Sequence, residues 1–556
     1  MSANVIPFRC ASKSVVYLAR QQLKSLSGEV RGVHAGQPVS SAVSAATATS
    51  DDAGVVKSYE EIPGPKPLPG VGNIWRFLPI IGEYAGLELD DFHRLIYRQY
   101  GPLVRLTGVP GRRDTVFAYR PEDMEVTYRN EGPWPIREGL QALDHYRTVH
   151  RKNFYEGGGS VVTENGPKWL ETRSKVNQPM MQPRISKRYA PHINSVAQEF
   201  VNRMRAMRDG KDELPPHFIN ELFKWALESI ACVALDTRLG CLAPNLAPDS
   251  EPQKLIDAAQ VVFEGLFQME IALPLWKIYP TQEWKKLVKG LDMFLEVSVK
   301  YVRASIERME RRKGRNQDGE GEPSVLERLL ARTDEKTASI MAQDMLLGGI
   351  DTTSYSTASV MYMLAKNQDK QEELFKEVKR LLPHKDSAVS EENREEMRFL
   401  KAIFKETMRM SPLVVGGMRK TVKDVVLSNY KVPEGVNVLM SNVMFRTNED
   451  IYPQAKRFLP ERWLKARPDG AERVGSAEDF DAVSHGKHHP FAFLPFGFGV
   501  RMCVGKRFAE MEMEILVAKL VRNFRVEYLY GEVTMASRLI NMIKDPLKFK
   551  LTERSE

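Results

Sequence analysis

Residues 496–505 read Phe496-Gly497-Phe498-Gly499-Val500-Arg501-Met502-Cys503-Val504-Gly505, and this glycine-rich loop carries one cysteine directly before a predicted helix. A thiolate at a helix N-terminus receives backbone N–H donors and faces the positive end of the helix dipole, so we expect a lowered pKa for Cys503. Such a sulfur is a candidate ligand for iron. Gly499 and Gly505 would let the backbone pass close to a flat macrocycle, Phe496 would shield the sulfur from water, and Arg501 would pair with an acidic group.

The alternative for a lone cysteine in a glycine-rich turn is a buried structural residue. Here five fixed positions of F-x-x-G-x-R-x-C-x-G are matched. If each residue type occurs at about 5% frequency, a chance match somewhere in the chain has a probability on the order of 10⁻⁴. The loop resembles the haem-binding loop of the cytochrome P450 family. The resemblance implies a mainly α fold with small β-sheets, in which haem b (iron protoporphyrin IX) lies between a long glycine-bearing helix and the cysteine loop, with Cys503 as the axial ligand of the haem iron.

A second motif, Gly348-Gly349-Ile350-Asp351-Thr352-Thr353, lies in an apolar, proline-free segment that predicts one long helix from about Ile340 to Leu364. Each glycine weakens a helix by roughly 1 kcal/mol, so the pair suggests a groove in which something lies against the backbone. In the P450 family dioxygen lies there, and the resemblance assigns Thr352 to a hydrogen bond with it and Asp351 to proton relay. The alternative is close helix packing, with the Thr352 hydroxyl bonded to its own helix.

A third pair of motifs predicts a structural lock for the haem loop. Glu406 and Arg409 lie three residues apart on one helix face, and Arg462 follows in a Pro-Glu-Arg segment. An E-x-x-R pair alone is usually a solvated surface salt bridge. In the P450 family the three side chains form a buried triad, so the resemblance implies that breaking it costs haem incorporation.

Further residues are expected at the haem propionates. Trp169 and Arg173 match the family's W-x-x-x-R helix and share one helix face. Arg419 occupies the place of another propionate ligand, and Arg501 is grouped with these three. Without the resemblance, Trp169 would be interpreted as a core residue and Arg173 as a surface residue.

The motifs span Trp169 to Gly505 in one family order, which predicts a single catalytic domain over residues 71–556 of this 556-residue chain. Residues 51–70 form a predicted linker with a proline-rich hinge. Residues 1–50 carry five basic residues against one acidic residue, with abundant serine and alanine, which predicts an amphipathic mitochondrial targeting segment; the alternative is a disordered basic tail. Removing it leaves about four of the eight formal positive charges, so nothing calls for a nucleic-acid partner.

Hydrophobic periodicity predicts a mostly helical domain with a few strands. A β-hairpin is expected over Leu103–Tyr119, and short strands are expected around Leu427–Val432 and near the C-terminus. No run of 18 apolar residues predicts a transmembrane helix. The apolar turn at residues 272–276 corresponds to a family substrate entrance, which implies peripheral contact with the inner mitochondrial membrane; a buried loop is the alternative. Helices are expected at Ile193–Met207, Phe218–Ala234, Leu255–Phe267, Trp284–Lys313, Asp369–Leu382 and Met397–Met410.

Basic residues beside the motifs indicate how electrons arrive. Lys401 and Lys405 lie on the helix of Glu406, and Lys506 and Arg507 follow Gly505. They resemble the positions where mitochondrial P450s dock an acidic adrenodoxin-like ferredoxin, itself served by NADPH-ferredoxin reductase. Solvated helix faces are the alternative. The stretches 131–137 and 176–183 resemble invertebrate mitochondrial members, which implies location on the matrix side of the inner membrane.

The hypothesis from sequence is therefore a monooxygenase that hydroxylates a lipophilic small molecule with O₂ and NADPH-derived electrons, using the electron push of the Cys503 thiolate. A sterol or ecdysteroid-like hormone and a small xenobiotic both remain open, because the expected pocket segments are all apolar. Two alternative functions are a haem-thiolate isomerase or dehydratase, and a non-catalytic haem- or lipid-binding protein. The pocket segments are 134–155, 263–276, the glycine-bearing helix, 413–418 and 539–542.

Overall fold

The structure, a computed structural model, describes residues 55–78, 80–271, 273–314, 323–464 and 489–555. The predicted targeting segment lies outside these residues. Most of the described chain is helical, as the sequence predicts, and no helix in it is long and apolar enough to cross a membrane. The helices are α1 (Leu89–Tyr100), α2 (Pro121–Arg129), α3 (Gln141–His145), α4 (Lys152–Tyr155), α5 (Gly166–Met181), α6 (Pro183–Met207), α7 (Phe218–Leu235), α8 (Glu251–Ile271), α9 (Gln282–Gly314), α10 (Val325–Leu330), α11 (Glu335–Lys366), α12 (Gln368–Leu381), α13 (Glu391–Glu396), α14 (Arg398–Met410) and α15 (Lys506–Asn523).

The strands form one four-stranded mixed sheet and three separate two-stranded sheets. In the four-stranded sheet the order is β1-β2-β6-β3, with β2 and β6 parallel and the other neighbours antiparallel. Antiparallel pairing of Leu103 with Ala118 confirms the predicted first hairpin. The smaller pairs are β4-β5, β7-β10 and β8-β9. The strands are β1 (Leu103–Leu106), β2 (Thr115–Ala118), β3 (Gly416–Lys420), β4 (Val425–Leu427), β5 (Tyr430–Val432), β6 (Asn437–Ser441), β7 (Phe524–Glu527), β8 (Met535–Ser537), β9 (Asn541–Ile543) and β10 (Lys550–Glu553).

The long glycine-bearing helix is α11, and it extends beyond the predicted segment at both ends. Asp334 caps its N-terminus, accepting hydrogen bonds from the backbone N–H and the hydroxyl of Thr337 at 2.8 and 2.7 Å. Helix α7 packs along α11, and all its side chains except Ile219 and Asn220 are buried. Its three charged side chains, Glu221, Lys224 and Glu228, are ion-paired, so the helix can lie inside the protein. The α7–α11 pair is therefore the centre of the helical core.

The two glycines of α11 serve different purposes. A Cβ on Gly349 would lie 2.8 Å from Cγ1 of Ile230 on α7, so this glycine permits close helix packing. A Cβ on Gly348 would meet no atom within 4 Å. The groove interpretation therefore fits Gly348, whereas the packing interpretation fits Gly349.

This difference predicts opposite effects of two alanine substitutions on the cofactor-free protein. Gly349→Ala forces a methyl group against Ile230 and should destabilise the fold by about 1–3 kcal/mol. Gly348→Ala gains helix propensity without a clash and should stabilise it by up to about 1 kcal/mol. Urea unfolding followed by circular dichroism measures both, and equal shifts in the same direction would contradict this assignment of the two glycines.

Candidate haem site

The cysteine loop holds Cys503 at the N-terminus of α15. The backbone N–H of Cys503 donates to the carbonyl of Phe496 at 2.9 Å, which closes the loop on itself. The backbone N–H groups of Gly505 and Lys506 hydrogen-bond the sulfur. The Cys503 side chain is accessible although protein surrounds it, which places the sulfur on the wall of an internal recess. The accessible side of the Cys503 sulfur is therefore open to a ligand inside the fold.

The lowered pKa expected for Cys503 is wrong for the free thiol. Burial raises the pKa above its usual value, and this effect outweighs the two backbone amides and the charge of Arg173, which act in the opposite direction. The helix N-terminus favours the thiolate form, but the loss of hydration on burial favours the neutral thiol more strongly. A coordinated metal cation supplies the further positive charge that deprotonates a buried thiol.

Gly499 is required by its surroundings as well as by its conformation. Its φ of +70° lies in the left-handed region, where side chains are disfavoured. A Cβ there would lie 2.5 Å from Oε1 of Glu131. The glycine thus makes room for a carboxylate, a contact that the sequence analysis did not anticipate.

Four arginines converge around the recess. Burial, together with the positive charges of Arg137, Arg419 and Arg173, lowers the pKa of Arg501 to about 9. Glu131 is the acidic side chain among them, and its carboxylate accepts a hydrogen bond from Nε of Arg419 at 2.5 Å. Among the residues that the structure describes here, four guanidinium groups thus outnumber the carboxylate of Glu131, so the recess favours a ligand that carries negative charge.

The arginines are fixed by contacts to the loop and its neighbours. Nη2 of Arg173 donates to the carbonyl of Met502 at 2.7 Å, which ties α5 to the cysteine loop. Arg501 donates from Nη2 to the carbonyl of Glu164, whereas its Nε and Nη1 are buried with no hydrogen-bond partner in the described part of the chain. Unpaired buried guanidinium donors are expensive, and a carboxylate ligand would satisfy them.

Trp169 differs from its expected role. Its indole N–H donates to the carbonyl of Val161 at 3.1 Å, so the structure does not aim this group at a ligand. The fully buried ring instead lies 4.4 Å from the guanidinium carbon of Arg501, a cation–π contact. Trp169 therefore supports Arg501.

Asp351 and Thr352 lie on α11 three and four residues after Gly348, about one helical turn away. The Thr352 hydroxyl donates to the carbonyl of Gly348 at 2.5 Å, as the alternative interpretation of the motif expects. Asp351 is buried, and both carboxylate oxygens lack a hydrogen-bond partner among the described residues. Burial raises its pKa to about 7. A carboxyl that titrates near neutral pH is suited to give and take protons.

Glu406 joins the three members of the predicted lock. Its carboxylate accepts hydrogen bonds from Arg409 at 2.7 and 2.9 Å and from Nε of Arg462 at 3.0 Å. The backbone N–H of Leu459 and the indole N–H of Trp463 also donate to it, at 3.0 and 2.9 Å. Burial alone would raise the pKa of Glu406, but Arg409 and Arg462 outweigh it, so the net pKa is lowered.

The basic residues predicted for electron-partner docking lie on two neighbouring helices. Lys401 on α14 and both Lys506 and Arg507 on α15 act electrostatically on the same carboxylate, Glu510. Nζ of Lys506 lies 3.8 Å from that carboxylate. Lys405 is exposed and lies 6.0 Å from the ring centre of Trp463.

Together the residues fit an iron porphyrin. A cysteine sulfur lies where a thiolate ligand would be needed, the arginines supply positive charge for two propionates, and the open side of Gly348 leaves space along α11. Sequence reasoning missed Arg137 and Glu131, although both lie in the stretch 131–137 that it singled out. The excess of arginines over acids becomes visible only when the fold brings separate segments together.

Removing the charge of Glu406 should destabilise the fold strongly. Glu406→Gln keeps the shape but leaves two buried arginines without their counter-ion, which costs about 3–5 kcal/mol. Glu307→Gln on α9 is the matched control, because its pair with Arg311 is 65% exposed on both sides and should cost at most about 0.5 kcal/mol. Urea unfolding and the ratio of haem to protein absorbance measure both variants; equal losses would contradict the lock.

The raised pKa of Asp351 predicts a pH dependence of stability. An ordinary aspartate titrates near 3.9 in the unfolded chain, so the folded state binds the extra proton between about pH 4 and 7. Stability from this group is therefore full below pH 4 and is lost as pH rises, by about 1.4 kcal/mol per pH unit. Asp351→Asn should remove this slope. Unfolding free energies measured between pH 4.5 and 7 test it, and parallel curves for the two proteins would contradict the assignment.

Comparison with known proteins places this site in a family. The cytochrome P450 family model matches residues 62–552. "Probable cytochrome P450 49a1" of Drosophila melanogaster is 39% identical over 513 residues, covering 92% of this chain and 85% of that protein. "Probable cytochrome P450 301a1, mitochondrial" from the same organism is 40% identical over 498 residues, covering 89% and 87%. "Cytochrome P450 CYP12A2" of Musca domestica is 38% identical over 514 residues, covering 92% and 94%. The chain belongs to the cytochrome P450 family of haem-thiolate monooxygenases.

Proposed function

We propose that this protein is a mitochondrial P450 that binds haem b through Cys503 and hydroxylates a lipophilic small molecule, with electrons from NADPH delivered by an adrenodoxin-like ferredoxin and its reductase. The observation that carries the electron route is the basic surface formed by Lys401, Lys506 and Arg507. Lys506 lies three residues after Cys503, so a partner docked there sits on the thiolate side of the cofactor. A short path to the metal favours electron entry at this face.

The residues divide the chemical work between them. Haem iron, when bound, supplies the activation of dioxygen. Two backbone amides and Arg173 favour the thiolate form of Cys503, and a bound metal cation would supply the further positive charge that offsets burial. Arg137, Arg173, Arg419 and Arg501 orient the propionates, and Trp169 supports Arg501. On α11, Thr352 would hold dioxygen by a hydrogen bond once its hydroxyl turns from the Gly348 carbonyl, and Asp351 would supply protons.

A monooxygenase needs protons to cleave the O–O bond of dioxygen, whereas an isomerase or a dehydratase does not use dioxygen and needs no such proton supply. The carboxyl of Asp351 has no hydrogen-bond partner among the described residues and titrates near neutral pH, which favours monooxygenation over these reactions. The docking surface favours it over a non-catalytic binding protein, because a carrier of haem or lipid needs no electron partner. Both a hormone-like sterol and a xenobiotic fit a lipophilic substrate class.

A membrane-facing role is proposed for the segment between α8 and α9. The predicted entrance turn includes residue 272, which lies outside the described residues, but its flanks are described. Trp276 is buried and stacks on Trp284 with ring centres 4.9 Å apart, which anchors the turn. Its apolar neighbours point outward and are suited to peripheral contact with the inner mitochondrial membrane. They are Ile271 (52% exposed), Leu275 (54%), Ile278 (88%) and Tyr279 (67%).

The targeting segment at residues 1–50 and the linker at 51–70 complete the proposal. The basic, acid-poor composition of residues 1–50 supports import into mitochondria. Several relatives carry "mitochondrial" in their names, which supports the same location, on the matrix side where a soluble ferredoxin would meet the docking surface.

Reversing the docking charges should slow electron delivery. In the haem-loaded protein, Lys401→Glu with Arg507→Glu should lower the rate of haem reduction by NADPH, reductase and ferredoxin at least tenfold at low salt, because charge steering controls association. The stopped-flow rate of carbon monoxide complex formation measures it. Lys289→Glu on α9 is the matched control and should leave the rate unchanged, as should dithionite for every variant.

Two outcomes would contradict the electron route. One is an unchanged ferredoxin-dependent rate in the double variant at low salt. The other is reduction of the wild-type protein by a diflavin NADPH reductase of the microsomal type, with none by the ferredoxin pair. Loss of the rate difference at high salt is expected, since salt screens exposed charges.

A further inference from the structure

A cavity of about 220 Å³ lies between α8, α11 and the segment that joins β8 to β9. Its volume is enough for several water molecules, each of which occupies about 30 Å³ in the liquid. Apolar pocket walls were expected here, but five of the lining side chains are polar, and two of these, Gln260 and Arg538, lie outside the segments named from the sequence. The lining comprises Gln260, Phe263, Glu264, Asp351, Tyr355, Arg538, Leu539, Ile540 and Met542.

Asp351 forms the inner end of this cavity. Its side chain is 2% exposed, and neither carboxylate oxygen has a hydrogen-bond partner among the described residues. Tyr355, one helical turn later, also lines the cavity, whereas Gly348 and Thr352 do not. Asp351 therefore lies between the cavity and the face of α11 that carries Thr352. A titratable group in this position can pass protons from the cavity to that face.

An ion pair lies on the opposite side of the same cavity. Arg538 donates from Nη1 to Oε2 of Glu264 and thereby joins the β8–β9 segment to α8. Nε2 of Gln268 donates to the other oxygen of Glu264 at 2.8 Å, which fixes the carboxylate. The two charged side chains are 34% and 37% exposed, so the pair reaches from the cavity wall to bulk water.

We propose that the Glu264–Arg538 pair is a positioning pair that controls proton supply to Asp351. By pairing with Arg538, Glu264 keeps the positive charge of the arginine from stabilising the ionised form of the buried Asp351 carboxyl. The proposal rests on the monooxygenase function, in which Asp351 must give up and regain a proton. Asp351 passes its proton toward Thr352 and takes one from cavity water, which is replenished from bulk. The Glu264 carboxylate and the Arg538 guanidinium exchange no proton in this step.

The electrostatics of the cavity support this arrangement. Tyr355 responds to both the negative charge of Asp351 and the positive charge of Arg538, so the two groups act on one hydroxyl. The titratable and charged groups that line the cavity with Asp351 are Tyr355 from α11, Arg538 from the β8–β9 segment and Glu264 from α8; α7 contributes the apolar Ile230 at Gly349. While Glu264 neutralises Arg538, burial decides the state of Asp351 and keeps it near its midpoint at neutral pH.

The proposal predicts opposite shifts for the two neutral substitutions. Glu264→Gln leaves the arginine charge unopposed and should lower the titration midpoint of Asp351 by about one pH unit. Arg538→Gln leaves the carboxylate unopposed and should raise the midpoint by a similar amount. The double variant should return near the wild-type midpoint. Glu307→Gln, which alters an exposed pair with Arg311 on α9, should change nothing.

The measurement is the infrared band of the protonated Asp351 carboxyl in the ferric holoenzyme, assigned by its loss in Asp351→Asn and followed over pH. Identical midpoints in all variants, with lower melting temperatures in the single ones, would show a bracing pair only and overturn the proposal. The midpoint needs no ferredoxin or substrate, so failure of the proposed electron route leaves this test intact. The pH profile of product formed per NADPH consumed should shift in the same directions.

Discussion

The carboxylate of Glu406 is the interaction on which the candidate haem site depends. One buried group accepts hydrogen bonds from two arginines, a backbone amide and an indole, and so fixes α14 to the segment that contains Arg462 and Trp463. The Trp463 ring in turn lies 4.5 Å from the ring of Phe493, three residues before the cysteine loop begins. The buried Glu406 cluster thus helps to position the cysteine loop, although none of these hydrogen bonds involves Cys503.

Charge is distributed unequally across the site, and each part has a physical consequence. On the Cys503 side, four arginines gather around one carboxylate, Glu131, which makes the recess a receptor for an anionic ligand. On the Asp351 side, a carboxyl is buried with no hydrogen-bond partner in the described part of the chain, and at neutral pH it stays near its titration midpoint. The first arrangement holds a cofactor in place, whereas the second keeps a proton available.

The sequence allowed the fold and the motif residues to be predicted because these signals are local. The periodicity of residues 340–364, the spacing of Glu406 and Arg409, and the glycines around Cys503 each lie within a few turns of chain. The remaining features depend on contacts between distant segments. Arg137 joins the arginine cluster from a separate loop, and Arg538 meets Glu264 across 274 positions. The raised pKa of the Cys503 thiol was missed because burial cannot be derived from helix position alone.

The most direct test of this account is the carbon monoxide difference spectrum of the reduced, haem-loaded protein, compared with that of Cys503→His. The account predicts the red-shifted Soret band of a thiolate ligand for the wild-type protein, and its replacement by an imidazole-type band in a variant that still binds haem. A haem-loaded wild-type protein without the red-shifted band, or a histidine variant that retains it, would contradict the assignment of Cys503 as the iron ligand.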